Sequence, residues 1–254
     1  MTPMSSFGVL ARLGRQCHQW TDALTYYVLL SFFGLLCLSW STLASLLYPL
    51  LPRRWGIPLG RVMIHWIFRL FVSAMRATGR IRCDLDVLNE LRDKPGLLIA
   101  ANHPGLLDAV LMVAYLPRVA CIMKAEIWDN RFLGGGARLA GYLRNDSPLT
   151  LVRQGAQKLR AGEQLLVFPE GSRTRDWPAS PCKKGFALMA AKSHAPIQLV
   201  YIESNQRFLG HGWPLLRRPD FPLHFRVRLG PCLEAGKVDD TLREVENCFH
   251  KALS

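Results

Sequence analysis

Acidic residues and lysine are nearly missing from one end of this chain. Residues 1–80 contain eight arginines, no lysine and a single acid, Asp22. From Ala23 to Pro52 no residue is charged, a run of thirty. That length argues against a buried core helix. It also exceeds the apolar part of a signal peptide, usually about 7–15 residues. About 20 helical residues suffice to cross a hydrocarbon layer, so the run predicts a membrane helix. The seven cysteines, at 17, 37, 83, 121, 182, 232 and 248, include no CxxC pair. An odd, scattered set argues against a disulfide framework or a zinc site and points to reduced thiols facing a cytosol. No internal repeat or low-complexity tract is found.

At 254 residues, half of them hydrophobic, the chain fits one α/β domain plus an appendage. Its net charge of +13 implies an anionic partner, either nucleic acid or a membrane surface. The distribution separates the two. Residues 81–254 hold 24 basic and 18 acidic side chains, so over half the excess lies on the most apolar third of the chain. Arginine interleaved with Leu, Trp, Phe and Ile points to lipid headgroups and away from nucleic acid. Ordinary solvated arginines are the plainer alternative.

Arg12 and Arg15 precede the uncharged run, and Arg53, Arg54 and Arg61 follow it, so the positive-inside rule draws both flanks toward the cytoplasm. A tilted span and a bent, half-inserted helix both remain open, since Gly34, Ser39 and Ser41 lie mid-segment. Ile57–Met75 reads as a second helix. There Arg61, His65 and Arg69, continued by Ser73 and Arg76, form a narrow basic stripe among Val62, Ile64, Trp66, Ile67, Leu70 and Phe71. Such a helix suits the membrane interface. The other reading packs it on the domain with its arginines in water.

Beyond residue 80, apolar runs alternate with helical patterns. Gly96–Ala101, Val119–Met123, Gln164–Phe168 and Pro196–Ile202 read as buried strands. Pro104–Leu116, Pro148–Ala161 and Gly185–Ser193 read as helices, with Pro104 and Pro148 in first-turn positions. His224–Leu229 alternates like a half-exposed edge strand, and Asp239–Leu253 places Leu242, Val245, Cys248, Phe249 and Leu253 on one helical face. The predicted fold is α/β: a mainly parallel central sheet flanked by helices, with N-terminal hydrophobic membrane helices. The boundary falls between a membrane-associated region, 1–79, and an α/β domain, 80–254. Residues 205–222, rich in Gly, Pro and Arg, carry no assignable element.

Two motifs fall where predicted strands end, the place where parallel sheets gather ligands. The first is Asn102-His103-Pro104-Gly105-Leu106-Leu107-Asp108. On a continuous helix, residues five apart are separated by about 140°. A turn at Pro104-Gly105 would instead let Asp108, in the first turns of a helix, point back at the imidazole. The carboxylate would fix the tautomer and leave Nε2 free to take a proton from a hydroxyl. A strand-end histidine capped by its own helix is the plain alternative. The second motif is Phe168-Pro169-Glu170-Gly171-Ser172-Arg173-Thr174. A guanidinium beside a glycine turn can hold phosphate. Lys183 and Lys184, ahead of a helix start, would add positive field unless they are merely solvated.

Together these motifs resemble the glycerolipid acyltransferases of the lysophosphatidic acid acyltransferase (1-acylglycerol-3-phosphate acyltransferase) type. The resemblance covers about residues 80–235, and the apolar N-terminus also fits. Asn102-His103 with Asp108 resembles that family's first block. Lys124, Phe132-Leu133-Gly134 and Gly141-Tyr142-Leu143-Arg144 resemble a degraded second block. Residues 168–174 resemble the third, and Ala195-Pro196-Ile197 the start of the fourth. The resemblance implies that His103 is the general base and Asp108 its partner. Glu170 and Arg173 would position a glycerol phosphate, with Gly171 and Ser172 shaping the turn and Lys124, Arg144 and Lys184 adding contacts. The acyl donor would be acyl-CoA or acyl-carrier protein, the acceptor a lysophospholipid, with no metal, no cofactor and no covalent acyl-enzyme. The protein would lie on a membrane with its site facing the cytoplasm, the inner membrane in a bacterium.

The second block ends Leu143-Arg144-Asn145-Asp146 where the family often has an isoleucine/aspartate/arginine-like stretch. Leu199 stands near a usual proline of the fourth. The acceptor is therefore open: 1-acyl-sn-glycerol 3-phosphate, or another such as a lyso-ornithine lipid or a pathway-specific lipid or polyene ester. A non-catalytic lipid-binding protein and a metal-dependent phosphatase are weaker alternatives. The intact base–carboxylate pair opposes the first of these.

Overall fold

The computed structural model describes residues 6–130 and 132–254; in the first helix, side chains are described for Gln16 and from Gln19 onward. Arg12, Arg15 and Cys17 lie outside the described side chains. Helix α1 runs Ser6–Leu47 and α2 runs Arg53–Ala77. Pro49 and Pro52 stand between them. Each lacks an amide donor and restricts the residue before it, so one long helix is broken into two.

The basic stripe of α2 is divided: Arg69, Ser73 and Arg76 are exposed, while its first two members turn inward. Arg61 and His65 are buried against the α/β domain. Arg61 Nε donates to the Ala140 carbonyl at 3.0 Å and Nη1 to the Arg118 carbonyl at 2.8 Å, while Nη2 pairs with Glu163. His65 Nδ1 donates to the Val113 carbonyl at 2.9 Å. Arg69 lies over the Tyr115 ring. Leu59, Val62, Trp66 and Leu70 are exposed as well. Arg61 is turned inward because carbonyls and Glu163 are there to receive it; hydrocarbon offers no such partner. The backbones also meet closely. A Cβ on Gly60 would lie 2.5 Å from the Ala140 amide nitrogen, so only glycine admits this approach.

Among the described residues seven strands form one sheet: β1 (Ile81–Asp84), β2 (Leu98–Ala101), β3 (Ala120–Lys124), β4 (Leu143–Asn145), β5 (Leu165–Val167), β6 (Ile197–Ser204) and β7 (Leu223–Leu233). Their spatial order is β1-β7-β6-β2-β5-β3-β4. The five strands from β6 to β4 are mutually parallel, and β7, with β1 beside it, runs the other way. The mainly parallel α/β sheet predicted from the sequence is therefore present. β7 is not an edge strand, however, because the short β1 pairs along its outer side. Its alternation has another cause: Leu223, Phe225 and Val227 enter the core while His224 and Arg226 stay exposed.

The helices are α3 (Leu107–Tyr115), α4 (Ala125–Asp129), α5 (Gly135–Leu139), α6 (Pro148–Arg160), α7 (Gly185–Ser193) and α8 (Val238–Leu253). Pro148 opens α6 as expected, but Pro104 lies outside α3, which starts at Leu107. Helices α1, α2, α3 and α5 pack together, as do α6, α7 and α8. Right-handed crossovers put these groups on opposite faces.

β2, wholly buried, neighbours β5. From β2 the chain passes through α3 to β3, beyond β5. From β5 it passes through α7 to β6, beyond β2. Connections leaving two adjacent strands in opposite directions open a crevice at their carboxyl ends. Both motifs begin there.

Candidate active site

Asn102 directly follows β2, with its side chain buried. Its amide donates to the Ile202 carbonyl at 2.9 Å and accepts from the Ile202 amide at 2.7 Å, clamping the strand end to β6. The next residue is thereby placed. His103 Nδ1 lies 3.0 Å from Asp108 Oδ2. Its ring stacks on Phe168, centroids 3.9 Å apart and planes 15° from parallel. One ring nitrogen and one ring face are thus held, and Nε2 has no hydrogen-bond partner among the described residues.

Asp108 reaches the imidazole because the chain turns at Pro104-Gly105 before α3 starts. The Gly105 amide donates to the same Oδ2 at 2.7 Å, closing the turn. The carboxylate is fully buried in the first turn of α3. Burial pushes its pKa up, opposed by the hydrogen bonds and charge of His103 and by the Gly105 amide.

Glu170 is buried and its carboxylate is already engaged. Oε1 accepts from the His103 amide at 3.0 Å and from Thr174 Oγ1 at 2.8 Å, and Oε2 accepts from the Ser180 amide at 3.0 Å. The Thr174 amide donates back to the His103 carbonyl at 2.8 Å. The two motifs are thereby one unit, joined through backbone. Gly171 has φ +70°, and a Cβ there would lie 2.7 Å from Lys183 Cδ, so the turn requires glycine. Ser172 is half-buried and makes one long contact, 3.4 Å, to the Arg173 carbonyl. Arg173 Nη1 donates to the carbonyls of Leu209 and Gly210 at 2.9 and 3.0 Å. Its Nε and Nη2 make no hydrogen bond among the described residues.

The remaining sequence candidates lie farther out. Lys124 ends β3, exposed, and pairs in register with Asn145, as Met123 does with Arg144. β3 is two strands from β2, roughly 10 Å at ordinary strand spacing. Arg144 binds Asp129 at 2.6 Å and also Asp146. The hydrogen bond from Arg144 holds the Asp129 carboxyl below its ordinary pKa. Lys184 pairs with Asp239 of α8 at 2.7 Å, with both groups largely exposed. The structure thus gathers His103, Asp108, Glu170, Gly171, Ser172 and Arg173, and leaves Arg144 and Lys184 in ion pairs elsewhere.

Sequence reasoning missed the clamp by Asn102, the stacking by Phe168 and the contributions of Thr174, Ser180 and the Leu209–Gly210 carbonyls. The first three lie inside the motifs. Ser180 and Leu209–Gly210 act through backbone atoms, which leave no mark on side-chain chemistry.

Residues 80–203 match the family model described as Acyltransferase. They contain both motifs and the crevice between β2 and β5, so the similarity to acyltransferases falls on the site itself. The chain's relatives narrow the type. The chain is 24% identical over 216 residues to a 1-acyl-sn-glycerol-3-phosphate acyltransferase of Pseudomonas aeruginosa, covering 83% of this chain and 79% of that one. It is 26% identical over 201 residues to 1-acyl-sn-glycerol-3-phosphate acyltransferase beta of Homo sapiens, covering 75% and 69%. In fold it resembles the 1-acyl-sn-glycerophosphate acyltransferase PlsC of Thermotoga maritima, with a TM-score of 0.66 at 16% identity over 94% and 97% of the two chains. The resemblance read from the motifs therefore holds across most of the sequence.

Proposed function

We propose that this chain transfers a fatty acyl group from a thioester, acyl-CoA or acyl-carrier protein, to the free hydroxyl of 1-acyl-sn-glycerol 3-phosphate at a membrane surface. The observation that carries the reading is the His103 imidazole, fixed at Nδ1 by buried Asp108 and on one face by Phe168, with Nε2 unengaged. Nε2 takes the hydroxyl proton as the oxygen attacks the thioester carbonyl. The imidazolium so formed is stabilised by Asp108, as in hydrolase triads. Collapse of the tetrahedral intermediate expels the thiolate, which recovers the proton from Nε2 as a thiol. The ester is formed, the enzyme is regenerated, and no metal, cofactor or acyl-enzyme takes part.

Arg173, with donors left on Nε and Nη2, supplies the guanidinium for the acceptor phosphate, assisted by Lys124 and the Gly171-Ser172 turn. Glu170 acts one step back, as the acceptor that holds the His103 backbone in place. Arg144 and Lys184 would first have to leave their aspartates, and this favours a second reading with the same chemistry: another lyso-lipid as acceptor. Residues 80–254 carry the chemistry, and residues 1–79 seat it on the bilayer.

Two helices, Gln19–Leu47 and Arg53–Ala77, are long and apolar enough to cross a membrane. Yet Asp22, Tyr26, Leu29, Trp40 and Ala44 are buried along α1. Asp22 to Ala44 is about 33 Å of helix, roughly the thickness of a hydrocarbon core. A helix packed on protein for that whole length cannot span without drawing the polar domain in with it. The half-inserted arrangement is therefore the one we adopt, with the exposed faces of α1 and α2 in lipid and the site on the cytoplasmic side.

The test is purified enzyme with acyl-CoA or acyl-carrier protein and a panel of lyso-lipids. Acylation of 1-acyl-sn-glycerol 3-phosphate above all other acceptors is expected. A preference for a lyso-lipid lacking the phosphate would favour the second reading.

A further inference from the structure

The segment between β6 and β7, residues 205–222, forms no regular element but touches both the catalytic turn and the membrane helix. At one end the Leu209 carbonyl accepts from the Leu106 amide at 3.1 Å and from Arg173 at 2.9 Å. The Phe208 carbonyl presses on Gly105, where a Cβ would lie 2.4 Å away. Leu209 itself adopts φ +53°, a conformation costly for leucine that persists only where surroundings impose it. At the other end Tyr26 Oη donates to the Leu215 carbonyl at 2.6 Å and Tyr27 Oη to the Leu216 carbonyl at 3.1 Å. Arg218 faces Asp22 of α1.

Between these anchors is a closed turn. The Arg217 amide donates to the Pro214 carbonyl at 3.0 Å, Trp213 Nε1 to the Arg217 carbonyl at 2.8 Å, and the Arg217 guanidinium stacks on Trp213. The two central residues of that turn are Leu215 and Leu216, 53% and 67% exposed. Turn centres in water are normally polar or glycine. Here two leucines are held outward by a folded tip, with arginines beside them. They are continuous with an apolar helix face: Trp20, Leu24 and Tyr27 lie on one side of α1, exposed by 72%, 67% and 44%, and Tyr27 touches the tip.

We infer that the Pro214–Arg217 tip is a second membrane contact, inserting Leu215 and Leu216 into the same leaflet as α1, with Arg217 at anionic headgroups. The inference rests on the membrane seating proposed above and adds a consequence. The strap that enters the lipid also supplies the carbonyls that hold Arg173 and the Leu106 amide beside His103, so lipid contact and site geometry share one segment.

The test reconstitutes the full chain in phosphatidylcholine–phosphatidylglycerol vesicles carrying a lipid with a photoactivatable acyl chain. After illumination, trypsin releases residues 208–217, bounded by Arg207 and Arg217. Fragmentation is expected to place lipid adducts on Leu215 and Leu216. In Leu215→Asp/Leu216→Asp those adducts are expected to disappear. Turnover of a long-chain acceptor in vesicles should fall about tenfold, while turnover of a short-chain acceptor dissolved as monomer changes by less than about twofold. Adducts confined to α1 and α2, or unchanged vesicle turnover in the variant, would overturn the inference. Equal loss on both acceptors, with no lipid adducts on the native tip, would assign the tip to site geometry alone and would also overturn it. The adduct map on the unaltered chain needs neither turnover nor a folded variant, so it stays informative if the catalytic reading fails.

Discussion

The position from which Asp108 would orient His103 costs stability. The Asp108 carboxyl is buried and pushed up in pKa, so ionisation is opposed by the fold and the stability associated with the neutral form is lost as pH rises through the raised value. Asp108→Asn keeps an oxygen for the Gly105 amide and removes the buried charge. We expect a melting temperature at neutral pH no lower than that of the native chain, with kcat reduced by about 10³- to 10⁴-fold and little change in acceptor KM. Scanning calorimetry and steady-state kinetics on the same preparation check both halves. Glu170→Gln should behave otherwise. All three contacts to this side chain come from donors, and a glutamine turns one acceptor into a further donor. A loss of about 1–3 kcal/mol in denaturant unfolding should accompany the fall in activity. At this scale the motifs were legible because His, Asp, Glu and Arg advertise their chemistry. What the sequence concealed was direction: nothing in the string 168–174 says that Glu170 bonds backward to His103 while Arg173 bonds to a loop thirty-six residues on.

Among the elements, α2 shows the limit of pattern reading, since its basic stripe is part buried and part exposed. A basic stripe on an apolar helix looks the same whether its arginines meet headgroups or buried carbonyls, and only the fold brings Ala140, Arg118 and Glu163 to Arg61. The strands and long helices of the α/β region were legible because buried parallel strands are continuous apolar runs. β1, β4, α4 and α5 were not, being three to five residues each. The Arg61 site makes a pH prediction. Burial raises the Glu163 pKa, but Arg61 and Lys158 more than reverse this and leave it below its ordinary value. A lowered carboxyl contributes stability above its unfolded value of 4.5, and that contribution is lost as pH falls through the folded one. Thermal melts between neutral pH and about pH 3 should show this loss. Arg61→Ala should be less stable at neutral pH and should show a smaller drop on acidification. An equal drop would place the acid sensitivity elsewhere.

The whole molecule combines a parallel-sheet crevice with a helical pair whose outer faces are apolar. Trp20, Leu24 and Leu35 of α1 and Trp66 and Leu70 of α2 are all at least half exposed. Surfaces of that kind mark an interaction site, and lipid is the partner proposed above. Charge alone was an ambiguous guide, since two arginines of the first eighty residues are internal fasteners. Arg61 and Arg80 both pair inside the fold. The proposed function depends most on one atom, His103 Nε2, which has no hydrogen-bond partner among the described residues. The most direct measurement is thioester-dependent acylation of 1-acyl-sn-glycerol 3-phosphate by the native chain and by His103→Ala, both reconstituted in vesicles. The account predicts robust transfer by the first and none above the uncatalysed rate by the second, with equal vesicle association. Undiminished transfer by His103→Ala would contradict it.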